Sequence, residues 1–489
     1  MSSLRSRSGS DWMAKLDQAA IPFATVTELS AALRAREVSS LELTKILGKR
    51  LEKLGPEYNA LAYSLVKQGK KQAKDADFEL KRERFRGPLQ GVPYAVKDLI
   101  AVANYPTTWG AKPYAEQVFD EDATVIQRLS GQKAVLIGKL SMVELAGGGG
   151  YSSAAASLQG PGLNPWNKLY WSGGSSSGSG AAVAAGLVPY ALGSETSGSI
   201  LTPASYCGVC GLRPTYGLVS RHGAMALSWT LDKIGVLARS AEDCGWVLQI
   251  MAGKDEYDPG SARKSFYYTP QFYQQSKAMK IGYAENDFSE WPAEPLRPAF
   301  ANALSVVKSI GTTMVESRLP EFPYGAVIGT IIDSEGASIF EQFIRSGQVD
   351  QLADQSQIDG LKASLAYSAI DYLKAMRVRT QIQTAFREVF ANVDLLVAPS
   401  HFRPPDRADQ PFDESEHQHP EQRGVGAELI QASNLCGIPA ITIPCGFVNG
   451  LPIGLQIVGP GFSENRILAF AREFQNRTDF HKRHPPGLA

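Results

Sequence analysis

Two turns rich in glycine and serine, separated by one apolar segment, constrain this chain more than any other feature. The first is Ser172-Gly-Gly-Ser-Ser-Ser-Gly-Ser-Gly180, and the second is Gly193-Ser-Glu-Thr-Ser-Gly-Ser-Ile200. The segment 181–192 between them is rich in Ala, Val and Leu, so we expect it to be buried. A buried element with a turn at each end can bring Ser175 and Ser199, which are 24 residues apart, to the same place.

A third candidate is Lys97, in the apolar run Pro93-Tyr-Ala-Val-Lys-Asp-Leu99. A serine hydroxyl is a weak nucleophile until a neighbouring base takes its proton. Lysine at its ordinary pKa of about 10.4 is protonated, but burial among apolar neighbours disfavours the ammonium. Lowering that pKa to about 7.5 requires roughly 4 kcal/mol, which lies within the range that buried lysines reach. The pattern therefore predicts a nucleophile, a proton relay and a base.

Other kinds of segment and site share parts of this pattern. Flexible linkers and phosphate-binding loops are also rich in glycine. A linker does not lead directly into an apolar run, and the Lys-Ser/Thr ending of a Walker motif is missing. A Ser-His-Asp triad is a further alternative, but none of the six histidines lies in a pattern that identifies a base. His417 and His419 could bind a metal, although exposed loop residues are the simpler interpretation.

Composition excludes several classes of function. The 49 Lys and Arg balance the 49 Asp and Glu, so no net field attracts nucleic acid or an anionic membrane. Neither a signal peptide nor an apolar run of about 18 residues is visible, so we expect a cytoplasmic protein without a membrane span. Five cysteines include Cys207-Gly-Val-Cys210 as a lone CxxC motif, so we expect buried structural thiols and no metal site.

The order of apolar patterns indicates the fold class. Apolar spacing of three and four predicts helices over 26–54 and 64–83, so residues 1–85 are expected to form a helical segment packed on the main domain. From residue 86 onward, short β-type runs alternate with helical patterns, which indicates an α/β fold around a buried sheet. The polar stretch 403–424 predicts a surface loop. Strands are predicted at 91–96, 134–138, 188–192, 236–238, 280–284, 394–398, 440–444 and 450–458.

Taken together and in order, these motifs resemble the amidase signature family. Besides the two turns and the lysine element, the resemblance rests on three segments: Pro203-Ala-Ser-Tyr-Cys-Gly-Val-Cys-Gly-Leu-Arg-Pro-Thr-Tyr-Gly217, Asp232-Lys-Ile-Gly235 and Gly437-Ile-Pro-Ala-Ile-Thr-Ile-Pro-Cys445. It covers roughly residues 26 to 475. The resemblance implies an α/β fold with a large central, mostly parallel mixed β-sheet that helices cover on both faces. It also implies one structural unit over 86–489 and no metal or organic cofactor.

The family's site residues carry over to positions of this sequence. The resemblance implies that Ser199 is the nucleophile, that Ser175 is the relay serine after a cis peptide bond, and that Lys97 is the base. The oxyanion hole would be formed by backbone N–H groups of the turn that leads to the nucleophile, here Thr196, Ser197, Gly198 and Ser199. Such amides stabilise a tetrahedral oxyanion by several kcal/mol.

The sequence departs from the family's pattern next to the nucleophile. Glu195 stands where many members have Asp, and Leu201 stands where some members place a cation. The missing cation weakens the case for a substrate carboxylate and favours neutral, apolar or aromatic acyl groups. By position in the family, Gly148, Gly149 and Tyr151 are candidate substrate-binding residues. The aromatic region at about 318–376 is expected to shape the substrate pocket.

The leading hypothesis is therefore an amidase that forms an acyl-enzyme on neutral, apolar or aromatic amides, with esters or carbamates (as in a urethanase) as further substrates. The expected partner is a small-molecule amide, without nucleic acid or membrane, and a homodimer is an open option because members of the family are often homodimers. The alternative is a glutaminase subunit of an aminoacyl-tRNA amidotransferase complex, which releases ammonia from glutamine. A non-catalytic binding protein on the same scaffold is disfavoured, because all three catalytic positions are present.

Overall fold

The computed structural model describes residues 19–412 and 424–488 of the chain. Its core is one large β-sheet with helices packed against it. The α-helices are α1 (Val26–Arg34), α2 (Ser40–Leu54), α3 (Val66–Lys81), α4 (Thr124–Gly131), α5 (Ser177–Ala184), α6 (Leu201–Cys207), α7 (Ala241–Met251), α8 (Asn286–Ser289), α9 (Arg297–Ser309), α10 (Tyr324–Ile339), α11 (Glu341–Arg345), α12 (Gln355–Ser364), α13 (Ala369–Asn392), α14 (Leu429–Cys436) and α15 (Glu464–Gln475).

The strands are short, and most of them lie in the single large sheet. They are β1 (Leu61–Ser64), β2 (Pro93–Lys97), β3 (Val135–Leu140), β4 (Leu163–Asn164), β5 (Asn167–Trp171), β6 (Tyr190–Glu195), β7 (Cys210–Arg213), β8 (Lys233–Ala238), β9 (Lys280–Tyr283), β10 (Thr313–Glu316), β11 (Leu395–Pro399), β12 (Ala440–Val448) and β13 (Leu451–Val458). Strands β4 and β5 form a separate two-stranded sheet.

The large sheet is mixed, with the order β1-β3-β2-β6-β8-β7-β12-β13-β11-β9-β10. Parallel neighbours occur on both flanks, in β3-β2-β6 and in β11-β9-β10. The expectation of a mostly parallel sheet therefore holds for the flanks, whereas the strands between them are antiparallel. One cause is local: Asn449 and Gly450, with φ of 50° and 80°, form the tight turn of a β12–β13 hairpin.

Both faces of this sheet are covered, which confirms the predicted α/β class. Every residue of β2, β3, β7, β8, β11 and β13 is buried. Successive strand residues point to opposite faces, so burial at every position requires packing on both sides. Helix α5, for example, packs on β6, and α7 packs on β7 and β8.

The N-terminal residues extend this sheet as well as covering it. Helix α2 begins with the predicted capping box, in which Ser39 and Glu42 satisfy each other's backbone N–H groups. Strand β1 lies between α2 and α3 and pairs antiparallel with β3, so the segment 1–85 also contributes an edge strand. A domain boundary at residue 85 stays a prediction.

Two further expectations concern regions that pack around the sheet. The region 318–376 contains α10, α11, α12 and the start of α13. Residues 413–423 of the predicted loop 403–424, and with them His417 and His419, lie outside the described residues. No helix in the described ranges combines the length and the apolar character needed to cross a membrane.

Gly235 of β8 offers a test of the close packing inside the sheet. A Cβ atom at this position would lie 2.2 Å from the Leu212 backbone O and 2.8 Å from Ile200 Cδ1. We expect Gly235→Ala to lower the free energy of unfolding by about 1–3 kcal/mol, because the added methyl group has no space. Gly325 of α10 has no neighbour within 4 Å of such a Cβ and provides the control, Gly325→Ala. Equal urea midpoints for the two variants would contradict the packing described here.

Candidate active site

Lys97 is the last residue of β2, in the parallel flank between β3 and β6. Its side chain is fully buried. The Nζ atom donates to Ser175 Oγ at 2.6 Å and to Ser194 Oγ at 3.0 Å. The side chain thus ends among hydroxyl groups, without a carboxylate in direct contact among the described residues.

Burial lowers the pKa of Lys97 from its ordinary value to about 7. Desolvation is the main cause, because removing water disfavours the ammonium. The negative charges of Asp232 and Glu195 act in the opposite direction and raise this pKa. A substantial fraction of the amine is consequently uncharged at neutral pH, as a base requires.

Ser175 lies in the first turn, directly before α5. The peptide bond between Gly174 and Ser175 is cis. The neighbouring Ser176 ties the first turn to the second, since its N–H donates to the Ser199 backbone O at 3.3 Å and its Oγ donates to the Ser194 backbone O at 3.2 Å. The fold therefore brings both serine turns and the lysine together, as the sequence pattern predicted.

Ser199 occupies the turn between β6 and α6 and is 7% exposed. Within the described residues, its Oγ has no hydrogen-bond partner, and no hydrogen bond joins it to Ser175 Oγ. The backbone N–H groups of residues 196–199 donate to no acceptor in the described part of the chain. Gly198 has a φ of 85°, a conformation that favours glycine. The turn thus presents a hydroxyl and a row of unused amides.

Glu195 anchors the far end of this turn. Its Oε2 accepts from the N–H groups of Ile200 and Leu201 at 2.8 and 3.0 Å, at the start of α6. Its Oε1 accepts from Arg213 and Asn434, both at 2.8 Å. Desolvation acts to raise the pKa of Glu195, but the neighbouring positive charges and these donors outweigh it and lower that pKa. The glutamate that replaces the family's usual aspartate is therefore fully engaged in holding the nucleophile turn.

Asp232 anchors the near end. It accepts from Thr196 Oγ1 at 2.6 Å and from the N–H groups of Leu227 and Ser228 at 2.8 and 2.9 Å. The adjacent Lys233 donates to Asn434 Oδ1 at 2.7 Å, which links both anchors through one amide side chain. The turn 196–199 is thus fixed by a carboxylate on each side.

The candidate substrate-binding glycines lie beside α12. Gly148 O accepts from Gln357 Nε2 at 3.0 Å, and Gly149 packs against the backbone of α12. Tyr151 packs edge-to-face with Trp171, at a ring separation of 6.0 Å, and lies beside Gly174 next to the relay serine. A substrate role for Gly148, Gly149 and Tyr151 stays a prediction.

A cavity borders the nucleophile turn on each side. The smaller, of about 310 Å³, is lined by Ser194, Thr196 and Asp232 together with apolar residues. The larger, of about 1130 Å³, reaches Ser197 and Gly198 and contains Arg318 and Arg403. Either cavity gives a small molecule access to the turn.

Several residues of the site carry no strong local signal in the sequence. Ser194 lies inside the second turn, but nothing in the pattern identifies it as a partner of the lysine. Asn434 comes from α14, more than two hundred residues along the chain, so only the fold reveals its contact with Glu195. No group of three or more His, Cys, Asp or Glu in the described ranges could hold a metal ion, and all five cysteines are free thiols.

Comparisons with known proteins extend over nearly the whole chain. The family model described as Amidase matches residues 42–468. A glutamyl-tRNA(Gln) amidotransferase subunit of Halalkalibacterium halodurans is 36% identical over 484 residues, which covers 94% of this chain and 98% of that protein. Native peptide amidase from Stenotrophomonas maltophilia has a similar structure, with a TM-score of 0.82, 28% identity and coverage of 96% and 99% of the two chains. The corresponding glutamyl-tRNA(Gln) amidotransferase subunit of Thermotoga maritima gives 0.76, 27%, 95% and 97%.

These comparisons support a hydrolase that acts on carbon–nitrogen bonds, and they correct two expectations. A stand-alone hydrolase of neutral, apolar or aromatic amides is the wrong main interpretation, because curated relatives with 34–37% identity over 94–95% of this chain carry the name of an amidotransferase subunit. The same finding overturns the expectation of a small-molecule partner without nucleic acid. Leu201 misled the sequence reasoning, because a single side chain was given more weight than similarity along the whole chain.

The anchor at Glu195 can be tested by removing its charge. Glu195→Gln leaves the fully buried Arg213 without its carboxylate partner, which is 2.8 Å away. We expect a loss of about 3–5 kcal/mol in the free energy of unfolding, because an uncompensated buried charge is costly. Glu57→Gln removes an exposed ion pair with Lys168 and should change stability by less than about 1 kcal/mol. Matching urea midpoints would show that Glu195 is no anchor.

Proposed function

We propose, from the premise that this chain belongs to the amidase family, that it is the glutamine-hydrolysing subunit of a tRNA-dependent amidotransferase. In this proposal it releases ammonia from glutamine, and partner subunits use the ammonia to amidate an aminoacyl-tRNA. The observation that carries the proposal is the full-length similarity to the glutamyl-tRNA(Gln) amidotransferase subunits. The buried lysine–serine pair supports it, since acyl transfer needs a base at neutral pH.

In the proposed reaction, Ser199 Oγ attacks the side-chain amide carbon of glutamine. Its proton passes to Ser175 Oγ, whose own proton moves to the uncharged Lys97 amine along the 2.6 Å hydrogen bond. The backbone N–H groups of residues 196–199 stabilise the resulting oxyanion. When the tetrahedral intermediate collapses, the proton returns to the leaving nitrogen and ammonia departs. Water then hydrolyses the acyl-enzyme by the same proton route and releases glutamate.

Glutamine also carries a carboxylate and an ammonium group, which need partners of opposite charge. Leu201 is fully buried, so position 201 provides neither a charge nor access to the substrate. The larger cavity beside Ser197 and Gly198 contains Arg318 and Arg403 on the one hand and Asp406 and Glu428 on the other. We assign recognition of the two charged groups of glutamine to this cavity.

The decisive experiment is glutamine hydrolysis by the chain co-expressed with the remaining amidotransferase subunits of its source organism. We expect the subunits to co-purify and the complex to release ammonia from glutamine. Ser199→Ala should lower this activity by at least about a thousandfold, because the acyl-enzyme cannot form. Ser289→Ala, an exposed serine in α8, is the control and should leave the rate unchanged. Hydrolysis of aryl anilides with no glutaminase activity in the complex would contradict the proposal.

The lowered pKa of Lys97 predicts the pH dependence of the rate. A base must be uncharged, so the rate should rise about tenfold per pH unit below the pKa and become constant above it. Because burial lowers that pKa to about 7, half of the limiting kcat/KM is expected near pH 7. The measurement is kcat/KM for glutamine over a pH series that extends well below and well above this value. A rate that stays constant on the acid side of the pKa would exclude Lys97 as the base.

A further inference from the structure

Two loops form walls of the smaller cavity beside the nucleophile turn. The glycine loop (residues 144–150) contributes Ala146, and the Asp232 loop (residues 227–232) contributes Leu227 and Asp232. The loops touch each other, because Leu227 Cδ1 lies 2.7 Å from the position that a Cβ on Gly148 would occupy. A shift of one loop is therefore transmitted to the other.

The glycine loop has an unfavourable backbone conformation. Leu145 and Ala146 have φ of 47° and 56°, in the left-handed region that residues with a side chain rarely adopt. Gly147, Gly149 and Gly150 follow with φ between 81° and 89°. Non-glycine residues in this region persist only where their surroundings hold them. Contacts from outside the loop must therefore fix its shape.

Helix α12 supplies those contacts. The side chain of Gln357 is buried, and its Nε2 donates to the backbone O atoms of Glu144 and Gly148 at 2.8 and 3.0 Å. Gly360, one turn further along α12, lies so close to the loop that a Cβ there would be 1.8 Å from the Gly149 backbone O. The loop thus lies directly on the helix, with one amide group bridging its two ends.

Helix α10 holds the Asp232 loop in a similar way. The carboxylate of Glu335 is buried and accepts from the N–H and Oγ1 of Thr230, at 3.2 and 2.8 Å, and from Ser228 Oγ. Tyr372 Oη of α13 donates to the same carboxylate at 2.8 Å. The loop ends at Asp232, which accepts the hydrogen bond from Thr196 in the nucleophile turn. A continuous series of contacts therefore runs from α10 to the amides of that turn.

We infer that Gln357 and Glu335 are positioning residues for the reaction at Ser199. The helices of the region 318–376 hold both loops, and the loops in turn fix the nucleophile turn. Neither side chain needs to contact the substrate, so their loss acts on the transition state and not on substrate binding. The inference does not depend on which amide the enzyme hydrolyses.

The test uses Gln357→Met, which keeps the volume and removes the donors, and Glu335→Gln, which removes the charge and keeps the shape. The first readout is the rate at which phenylmethanesulfonyl fluoride modifies Ser199, because this reagent needs the nucleophile and the oxyanion hole but no natural substrate. The second readout is kcat and KM for amide hydrolysis. We expect each variant to lower the modification rate and kcat by about ten- to a hundredfold with KM nearly unchanged, since small misplacements of reacting groups have effects of this size.

Matched controls lie on the exposed sides of neighbouring helices. Gln355→Met lies in α12, and Glu341→Gln lies in α11, where the carboxylate only pairs with Arg345. Both should retain the wild-type rates. The inference is overturned if the test variants match these controls, if KM alone changes, or if the losses only follow the unfolded fraction measured by circular dichroism. A wild-type protein that reacts with the reagent but does not hydrolyse glutamine would refute the proposed function and leave this test intact.

Discussion

The hydrogen bond from the buried Lys97 amine to the Ser175 hydroxyl is the interaction on which the rest of the site depends. It requires an amine that is out of water and without a carboxylate partner, in a core where acidic groups are close enough to raise its pKa. The structure meets this requirement by engaging those acids elsewhere. Glu195 and Asp232 each accept several hydrogen bonds from the turns around them, so neither forms an ion pair with Lys97.

The next residue along the chain illustrates the same arrangement. Asp98 follows Lys97 directly, yet its carboxylate forms a buried ion pair with Lys139 at 2.8 Å. Lys139 lies in β3, the strand next to β2, and Thr108 adds further hydrogen bonds to Asp98. Two lysines in neighbouring strands therefore have opposite electrostatic environments. One is compensated by a carboxylate and supports the structure, and the other is left with hydroxyl partners and is suited to accept a proton.

The sequence predicted those parts of the protein in which one segment contains its own information. The turns around Ser175 and Ser199 and the strand that ends at Lys97 have local patterns, and the fold brings them together as expected. Contacts between distant segments had no such signal: Asn434 reaches Glu195 from α14, and Gln357 reaches the glycine loop from α12. The antiparallel middle of the sheet depends on pairings between distant strands, and the substrate expectation failed because Leu201 is a local cue to a property of the whole pocket.

The withdrawn position of the Lys97 side chain also links the reaction to folding itself. In an unfolded chain this amine is exposed to water and keeps its ordinary affinity for protons, with a pKa of 10.5, whereas in the native state that pKa falls to about 7. Between these two values the disordered chain holds more protons at this position than the folded one does. Folding therefore expels a proton, and alkaline solution favours the native state in this interval. The group that makes the enzyme a base also makes it a molecule that acid destabilises.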